Sequence, residues 1–323
     1  MLLRLLPRNT KIDFLKGHRI AAVLSLVLMI GSVALFAVNS LNYGIDFKGG
    51  IAIEIGMEKP IPIAKVRDVL NAQNLGEVAV QEYGSPTEAL IRIERQPGGD
   101  EAQMAAMDAA KAALSESLAD VDYRQENIIG PKVSGELKTD GTIAVTVAVI
   151  AVLIYIWFRF EWQFGVGAVI ALVHDVLLTV GFFALTRLEF NLSIIAALLT
   201  IVGYSLNDTV VVYDRVRENL RKYRKTPLDD VLNLSLNQTL SRTIMTSVTT
   251  LLALVSLFLF GGEVIRGFTA AMIWGVVIGT YSSIYVAVPV LTRLNMRRDA
   301  FEQDDGENDP TVDKSRPGAA DAF

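Results

Sequence analysis

The chain contains no cysteine and only two histidines. Without cysteine it can form neither disulfide bonds nor thiolate metal sites, and two histidines cannot build a zinc cage by themselves. These absences argue against a redox enzyme, and we expect no enzymatic activity, no metal and no cofactor. The net charge is −5, with acidic residues concentrated in one soluble segment and in the tail. Nucleic acid is therefore a poor candidate for a partner.

Charged residues make up only 20% of the sequence, whereas hydrophobic residues make up 51%. This composition is too apolar for a soluble chain of 323 residues and indicates an integral membrane protein. A spanning helix needs about 20 apolar residues to cross a hydrocarbon core of about 30 Å. Six apolar runs come near this length and predict a helical bundle with spans at residues 20–38, 142–158, 164–186, 192–213, 242–260 and 267–290.

The first apolar run follows a basic segment, residues 1–18, and has two interpretations. A signal peptide would be cleaved near Ser32-Val33-Ala34, whereas a retained segment would form the first span. The run is long for a signal peptide and lacks a clean cleavage site. We therefore expect a retained first span within residues 19–40.

Lysine and arginine predict the orientation, because they accumulate in the cytoplasmic loops of membrane proteins. They crowd residues 1–18, the loop 214–241 and the exit at 293–298. We therefore expect a multi-pass inner-membrane protein with both termini in the cytoplasm and residues 41–140 in the periplasm. Thr226-Pro227 predicts the start of a separate helix that lies in the membrane interface before the fifth span. The acidic tail, residues 293–323, is expected to be disordered.

Residues 41–140 are long enough to bury one small core. Ile51, Ile53 and Ile55 alternate with smaller or polar residues and predict a strand. Pro62 opens a short helix, the turn at 84–86 leads into a third strand, and an alanine-rich helix follows Asp100. The third strand lies at 90–94, and the second and fourth lie at 78–80 and 121–129. The order β-α-β-β-α-β predicts a ferredoxin-like α+β domain between the first span and the bundle of residues 141–292. That fold alone indicates no function.

An acid lies inside the fourth predicted span: Asp208, beside Asn207, interrupts an apolar run. A carboxylate in hydrocarbon costs about 2.5 to 3.5 kcal/mol on insertion scales, which makes it a functional-site candidate. Arg242, at the mouth of the fifth span, and Thr246, one turn further in, reach the depth of Asp208 on an antiparallel helix. The three residues predict a proton relay, with Arg242 as the counter-charge. The alternative is a static ion pair that fixes helix packing.

A second polar pair, His174 and Asp175, falls near the middle of the third span. Neighbours on a helix point about 100° apart, so both cannot face the same partner. Asn207, His174 and Asp175 are candidates for an auxiliary part of the relay or for helix packing. Asp175 either assists the relay or bonds a neighbouring helix, and we favour the structural role.

Several segments resemble the SecD and SecF family of the bacterial protein-export machinery. The sequence GIDFKGG at residues 44–50 is similar to the signature of both branches, and GYSLNDTVVVYDRVREN at 203–219 is similar to the SecF branch. Further matches are IIGPKVSGEL at 128–137, RFEWQF at 159–164, QTLSRTIMTS at 238–247 and GTYSSIY at 279–285. The resemblance extends from the first span to the last.

The resemblance implies a six-span subunit of the resistance-nodulation-division superfamily with a periplasmic first domain. It implies a SecD-like partner, work beside the SecYEG channel with YajC as a further candidate, preproteins as the substrate, and the proton motive force as the energy source. The family's functional aspartate, arginine and threonine match Asp208, Arg242 and Thr246. Sodium remains an alternative coupling ion. A self-sufficient small-molecule exporter of the same superfamily and a non-conducting membrane scaffold are the alternative functions.

The GIDFKGG segment has its own structural interpretation. Gly44, Gly49 and Gly50 are suited to the turn from helix into strand, and Asp46 is suited to capping backbone amides. No helix is predicted directly after it, so a phosphate loop is disfavoured. We expect a hinge that couples the bundle to the periplasmic domain.

Overall fold

The structure is a computed structural model that describes residues 10–118 and 120–294. Residues 295–323 of the predicted acidic tail and residues 1–9 of the basic N-terminus therefore lie outside the described residues. The helices are α1 (His18–Asn39), α2 (Ile45–Lys48), α3 (Ile63–Asn71), α4 (Asp100–Ser117), α5 (Pro131–Arg159), α6 (Trp162–Thr186), α7 (Leu192–Lys222), α8 (Leu228–Phe260), α9 (Glu263–Ser282) and α10 (Val288–Arg293). The strands are β1 (Asn42–Tyr43), β2 (Gly50–Gly56), β3 (Val78–Tyr83), β4 (Ser85–Ile93), β5 (Asp122–Ile129) and β6 (Glu189–Phe190).

Six helical segments of the described chain are long and apolar enough to cross a membrane, which confirms the predicted number of spans. They are Leu15–Asn39, Lys132–Arg159, Trp162–Thr186, Leu192–Lys222, Leu228–Phe260 and Ile265–Arg293. About half of the span residues of α6, α7 and α9 are buried inside the protein, whereas few of those of α1, α5 and α8 are buried. The bundle therefore has three inner and three outer spans.

Helix α8 differs from the prediction. The expected interfacial helix and the fifth span form one continuous helix of 33 residues, so their predicted separation is wrong. The reason is local: Leu228–Phe260 contains neither glycine nor proline, so nothing breaks the helix. Its first part is tied to the N-terminal segment, because the backbone N–H of Ile12 donates to Asn237 Oδ1 at 2.9 Å and that of Leu15 donates to Asn233 Oδ1 at 3.2 Å.

Helix α5 also begins earlier than predicted, at Pro131 instead of residue 142. Proline is favoured at the first helical position because its missing N–H would have no partner there. The second span therefore emerges from the soluble domain as an unbroken helix of 29 residues.

The segment between the first two spans has the predicted ferredoxin-like order, β2-α3-β3-β4-α4-β5. Its four strands form an antiparallel sheet in the order β3-β4-β2-β5. The Ile51, Ile53 and Ile55 side chains are fully buried with side chains of α3 and α4, which confirms the predicted strand and its apolar face, although Ala52 on the other face is buried as well. One boundary is corrected: β4 begins at Ser85, because Gly84 at φ +80° makes the turn alone. Gln103 of α4 is also fully buried, and its amide atoms have no hydrogen-bond partner among the described residues.

The second face of the sheet is polar and turns towards the spans. A cavity of about 340 Å³ separates this face from the helix ends and the β6 segment. Beside the cavity, β1 pairs in parallel with β6, with Tyr43 opposite Phe190. This two-stranded contact joins the chain after α1 to the connection between α6 and α7, and it was not predicted.

The inner helices approach closely at two glycines of α9. A Cβ on Gly275 would lie 2.3 Å from Ile201 Cγ1, and one on Gly279 would lie 3.0 Å from Ser205 Cβ. Small residues at such crossings let membrane helices pack backbone to backbone. The contact fixes α9 against the part of α7 that carries the polar residues described below.

Candidate relay site in the helix bundle

Asp208 lies on the buried face of α7. Ser205, Asp208, Thr209 and Val212 recur at the spacing of one helix face and are all buried, and Asp208 is only 3% exposed. Its Oδ2 atom has no hydrogen-bond partner among the described residues. An intramembrane carboxyl group with an unsatisfied oxygen is costly to maintain and can change its charge by binding or releasing a proton.

The structure brings α8 against α7, as predicted, but within the described chain no hydrogen bond or ion pair joins the three predicted relay residues to one another. The Arg242 side chain is exposed. It attracts the Asp208 carboxylate electrostatically, yet in the described chain no ion pair within 4.0 Å joins the two side chains. The Thr246 hydroxyl donates to the backbone oxygen of Thr243 at 2.9 Å. Asn207 is exposed and lies away from the buried face of α7. Asp208 is thus the buried member of a looser group.

His174 and Asp175 lie at the centre of a hydrogen-bonded network. Their side chains bond to each other, with 2.8 Å between His174 Nδ1 and Asp175 Oδ1. The other carboxylate oxygen, Asp175 Oδ2, accepts hydrogen bonds from Ser205 Oγ at 2.5 Å and from Ser282 Oγ at 2.8 Å. Asp175 therefore bonds two neighbouring helices, α7 and α9, which is the role favoured from the sequence. Neither His174 nor Asp175 is more than 1% exposed.

The network continues to the first span. The ring of His174 stacks on that of Tyr281 with centroids 5.9 Å apart. The Tyr281 hydroxyl donates to the backbone oxygen of Ala21 at 3.1 Å and bonds with the Ser25 hydroxyl at 3.0 Å. Polar contacts thus connect α1, α6, α7 and α9 through the interior of the bundle.

Sequence reasoning did not identify Ser205, Tyr281 or Ser282 as part of this site. Ser205 was detectable, because it precedes Asp208 by three residues and therefore shares its helix face. Ser282 had no local signal. It immediately precedes a π-helical turn, Ser283–Ala287, which offsets α10 from α9; π-turns inside helices are frequent at functional sites. In the described part of the chain, no group of three or more histidine, aspartate or glutamate side chains is arranged to hold a metal ion.

The GIDFKGG segment contacts the N-terminal end of α7. Residues 45–48 form a single helical turn, α2, which the sequence did not predict. Asp46 Oδ2 accepts a hydrogen bond from the backbone N–H of Leu192, the first residue of α7, at 2.8 Å. Gly49 and Gly50 have φ values of +74° and +129°, which favour glycine. Asp46 thus caps a backbone amide, as predicted, but the amide belongs to the distant helix α7 and not to its own turn.

An ion pair crosses from the sheet to the connection between α6 and α7. Arg92 of β4 donates from Nη2 to Glu189 Oε2 of β6, and the two side chains are 18% and 23% exposed. Burial raises the pKa of the Glu189 carboxyl above its usual value, Arg92 opposes this shift, and Asp46 adds to it. Gly44 lies against the same carboxylate, because a Cβ there would meet Glu189 Oε1. The charged residues that line the adjoining cavity are Asp46, Glu54, Glu82, Arg92, Arg187, Glu189 and Arg266.

Two family models match the chain. "Protein export membrane protein SecD/SecF, C-terminal" matches residues 109–297, more than half of the chain, and "SecD/SecF GG Motif" matches residues 34–61. The second range contains the GIDFKGG segment, and the first contains Asp208 and the network around Asp175. The matched motifs therefore coincide with the sites that the geometry singles out.

Relatives match over nearly their whole length. The chain is 44% identical to the protein translocase subunit SecF of Rickettsia felis over 297 residues, which cover 92% of this chain and 96% of that protein. It is 46% identical to the corresponding subunit of Rhodobacter capsulatus over 317 residues, which cover 94% of each. The crystal structure of SecDF, a translocon-associated membrane protein from Thermus thermophilus, superposes with a TM-score of 0.81 at 34% identity over 92% of this chain. The match spans 40% of that longer SecDF chain. The chain therefore belongs to the SecD/SecF family of protein-export membrane proteins and to its SecF branch.

Proposed function

We propose that the chain uses the proton motive force to promote preprotein translocation, with Asp208 as its proton-binding residue. The observation that carries this proposal is the burial of the Asp208 carboxyl in the membrane with an unsatisfied oxygen. A proton that moves through a potential of about 100 mV releases about 2.3 kcal/mol, which is enough to bias a two-state movement. Family membership supports the assignment to protein export.

The relay consists of Asp208 with Arg242 and Thr246 on α8. Proton binding removes the charge of Asp208 and with it the attraction to Arg242, so α7 and α8 have two alternative arrangements. Asp175 on α6 accepts a hydrogen bond from Ser205, which lies one turn before Asp208 on the same face of α7. His174 and Asp175 therefore form an auxiliary polar site that responds to the charge of Asp208.

Helix α7 connects the relay to the domain outside the membrane. Asp208 lies 16 residues after Leu192, which corresponds to about 24 Å along a helix. The Leu192 end is bonded to Asp46 of the GIDFKGG segment. This hydrogen bond supports a hinge role for the GIDFKGG segment, with Gly44, Gly49 and Gly50. Through this hinge a movement of α7 would reach the ferredoxin-like domain.

A SecD-like subunit is the proposed partner. Arg242 and Thr249 are exposed on α8, and polar side chains in spans generally face protein or water and not lipid. The longer SecDF chain, of which this chain matches 40%, supports a second half of similar kind. We further propose the SecYEG channel and YajC as assembly partners, both termini in the cytoplasm and the ferredoxin-like domain in the periplasm, as the lysine and arginine distribution predicts.

The test is potential-driven export in membrane vesicles that contain the complete complex. Asp208→Asn should abolish the stimulation by the membrane potential while complex assembly stays normal. Asp214→Asn is the matched control, because Asp214 lies on the same helix but is exposed and pairs with Arg159 at 2.8 Å. Export at the wild-type rate in Asp208→Asn would leave Asp208 with a packing role and favour the scaffold alternative.

Two further measurements address the counter-charge and the ion. Arg242→Lys keeps the charge but loses the planar guanidinium. Impaired coupling in this variant would show that the geometry of the guanidinium is required. Full activity would show that Arg242 serves only to anchor the end of its span. Replacement of the proton gradient by a sodium gradient should remove the stimulation. Stimulation by sodium alone would contradict proton coupling.

A further inference from the structure

The ferredoxin-like domain turns its polar sheet face towards the spans. The opposite face of the sheet is covered by α3 and α4 and holds the apolar core of Ile51, Ile53 and Ile55. The face towards the spans is separated from them by the cavity of about 340 Å³, which polar and charged side chains line. An interface of this kind lacks the continuous apolar packing that holds domains rigidly together.

Arg92 is a sheet residue that reaches across this gap. It lies on β4, paired with Ala52 on the neighbouring strand β2, and its guanidinium donates to the Glu189 carboxylate. Both side chains are more than three-quarters buried, so water screens the pair less than it screens a surface ion pair. Among the described residues, the ion pairs of Lys111 with Glu126 and of Arg124 with Glu88 and Asp122 join elements within the domain.

Glu189 is placed where it can act on α7. It lies three residues before Leu192 and is held in β6 by the parallel contact with β1. The backbone N–H of Gly44 donates to the oxygen of Phe190 at 2.9 Å. The Arg92 guanidinium therefore contacts the same short segment that Gly44 and Asp46 support, immediately before the helix that carries Asp208.

We propose that the Arg92–Glu189 ion pair is a latch that holds the polar sheet face on the start of α7 and that opens and closes during each transport cycle. This inference rests on the proposed function, because it names the contact through which a movement of α7 is passed to the domain. Arg92 and Glu189 act as positioning residues and touch neither the transported ion nor Asp208.

Charge reversal tests whether the attraction is required. Arg92→Glu and Glu189→Arg should each reduce potential-driven export about tenfold, because like charges then face each other in a partly buried site. The double variant Arg92→Glu/Glu189→Arg should restore at least half of the activity. Arg124→Glu, which breaks an ion pair within the domain, is the matched control and should export normally. Failure of the double variant to recover would overturn the latch.

Cross-linking tests whether the latch opens. Because the chain has no cysteine, Arg92→Cys and Glu189→Cys introduce a unique pair of thiols. Both substitutions remove the ion pair, so export is compared with that of the same variant without reagent. A short bifunctional methanethiosulfonate reagent should stop the remaining potential-driven export of the double-cysteine variant, a reducing agent should restore it, and the reagent should cause no further loss in either single-cysteine variant. Export that continues in the fully cross-linked complex would show that the domain does not need to leave the start of α7.

The two proposals fail in different ways. Loss of export on reversible cross-linking with normal export in Asp208→Asn would support the latch and refute the relay. The opposite pair of results would support the relay and refute the latch. In the uncross-linked double-cysteine variant, the rate of reagent capture should change at least about twofold between resting membranes and membranes engaged in export, since a cycling contact has two populations. An unchanged rate would count against opening.

Discussion

The hydrogen bond from Leu192 to Asp46 makes the first turn of α7 depend on a side chain that lies 146 residues earlier in the chain. The first backbone N–H groups of a helix have no partners within the helix. Asn191, the residue before α7, makes no capping hydrogen bond with its own side chain, so Asp46 satisfies an N–H from outside. Asp46→Ala should therefore loosen the N-terminal turn of α7.

The size of the effect follows from two contributions. Loss of a capping side chain costs about 1 kcal/mol. Loss of a negative charge at a helix N-terminus costs a further 0.3 to 1 kcal/mol, roughly. Together they make local opening of the first turn roughly tenfold or more easier, since about 1.4 kcal/mol corresponds to a factor of ten. Asp46→Asn retains an oxygen acceptor and loses only the charge, so its effect should be about two- to fivefold.

The measurement is amide hydrogen exchange of the segment around residues 188–196 in the purified complex, followed by mass spectrometry. Exchange there should be fastest in Asp46→Ala, intermediate in Asp46→Asn and slowest in the unaltered protein. Asp108→Ala is the control, because Asp108 is exposed on α4 and distant in sequence from the cap. Equal exchange in Asp46→Ala and the unaltered protein would refute the capping role.

Three further predictions concern stability, measured by thermal unfolding in detergent. Burial raises the pKa of folded Glu189 despite Arg92, so the folded state binds this proton more tightly than the unfolded state does. The resulting contribution to stability is present below pH 4.5 and is lost as pH rises through the folded pKa. Glu189→Gln should flatten this part of the pH dependence. Gly275→Ala should destabilise by about 1 to 3 kcal/mol, because the new methyl group overlaps Ile201. Gln103→Met should stabilise by about 1 kcal/mol, because it removes a buried amide whose atoms have no partner among the described residues.

Each stability prediction has a contrary outcome. An identical pH slope in Glu189→Gln would mean that this carboxyl does not link folding to pH. Gly203→Ala is the control for Gly275→Ala, because a Cβ at Gly203 meets nothing within 4 Å; equal melting of the two variants would contradict the packing argument. A lower melting temperature in Gln103→Met would show that the amide of Gln103 contributes to folding.

Local patterns were sufficient for the architecture. Apolar runs predict the six spans because the thickness of the bilayer sets their length. The alternation of Ile51, Ile53 and Ile55 predicts a strand because successive side chains leave opposite faces of a sheet. The sequence also singles out Asp208, since a lone carboxyl in hydrocarbon is unfavourable without a role.

Contacts between distant segments could not be predicted in the same way. The expected group of Asp208, Arg242 and Thr246 relied on equal depth, but depth does not determine which way each side chain points around its helix axis. Ser205 and Ser282 meet Asp175 only because three helices converge there. These contacts depend on tertiary packing and not on the properties of one helix.

The continuity of α8 gives the protein a lever between its two sides. Its 14 residues before Arg242 extend about 21 Å towards the N-terminal segment that Asn233 and Asn237 bind. A tilt of about 10° around Arg242 moves the far end by roughly 4 Å, since the helix has no hinge to absorb it. A rearrangement beside Asp208 would therefore also displace the surface formed by the N-terminal segment and the start of α8, so that a component bound to this surface would experience the same event that moves the ferredoxin-like domain.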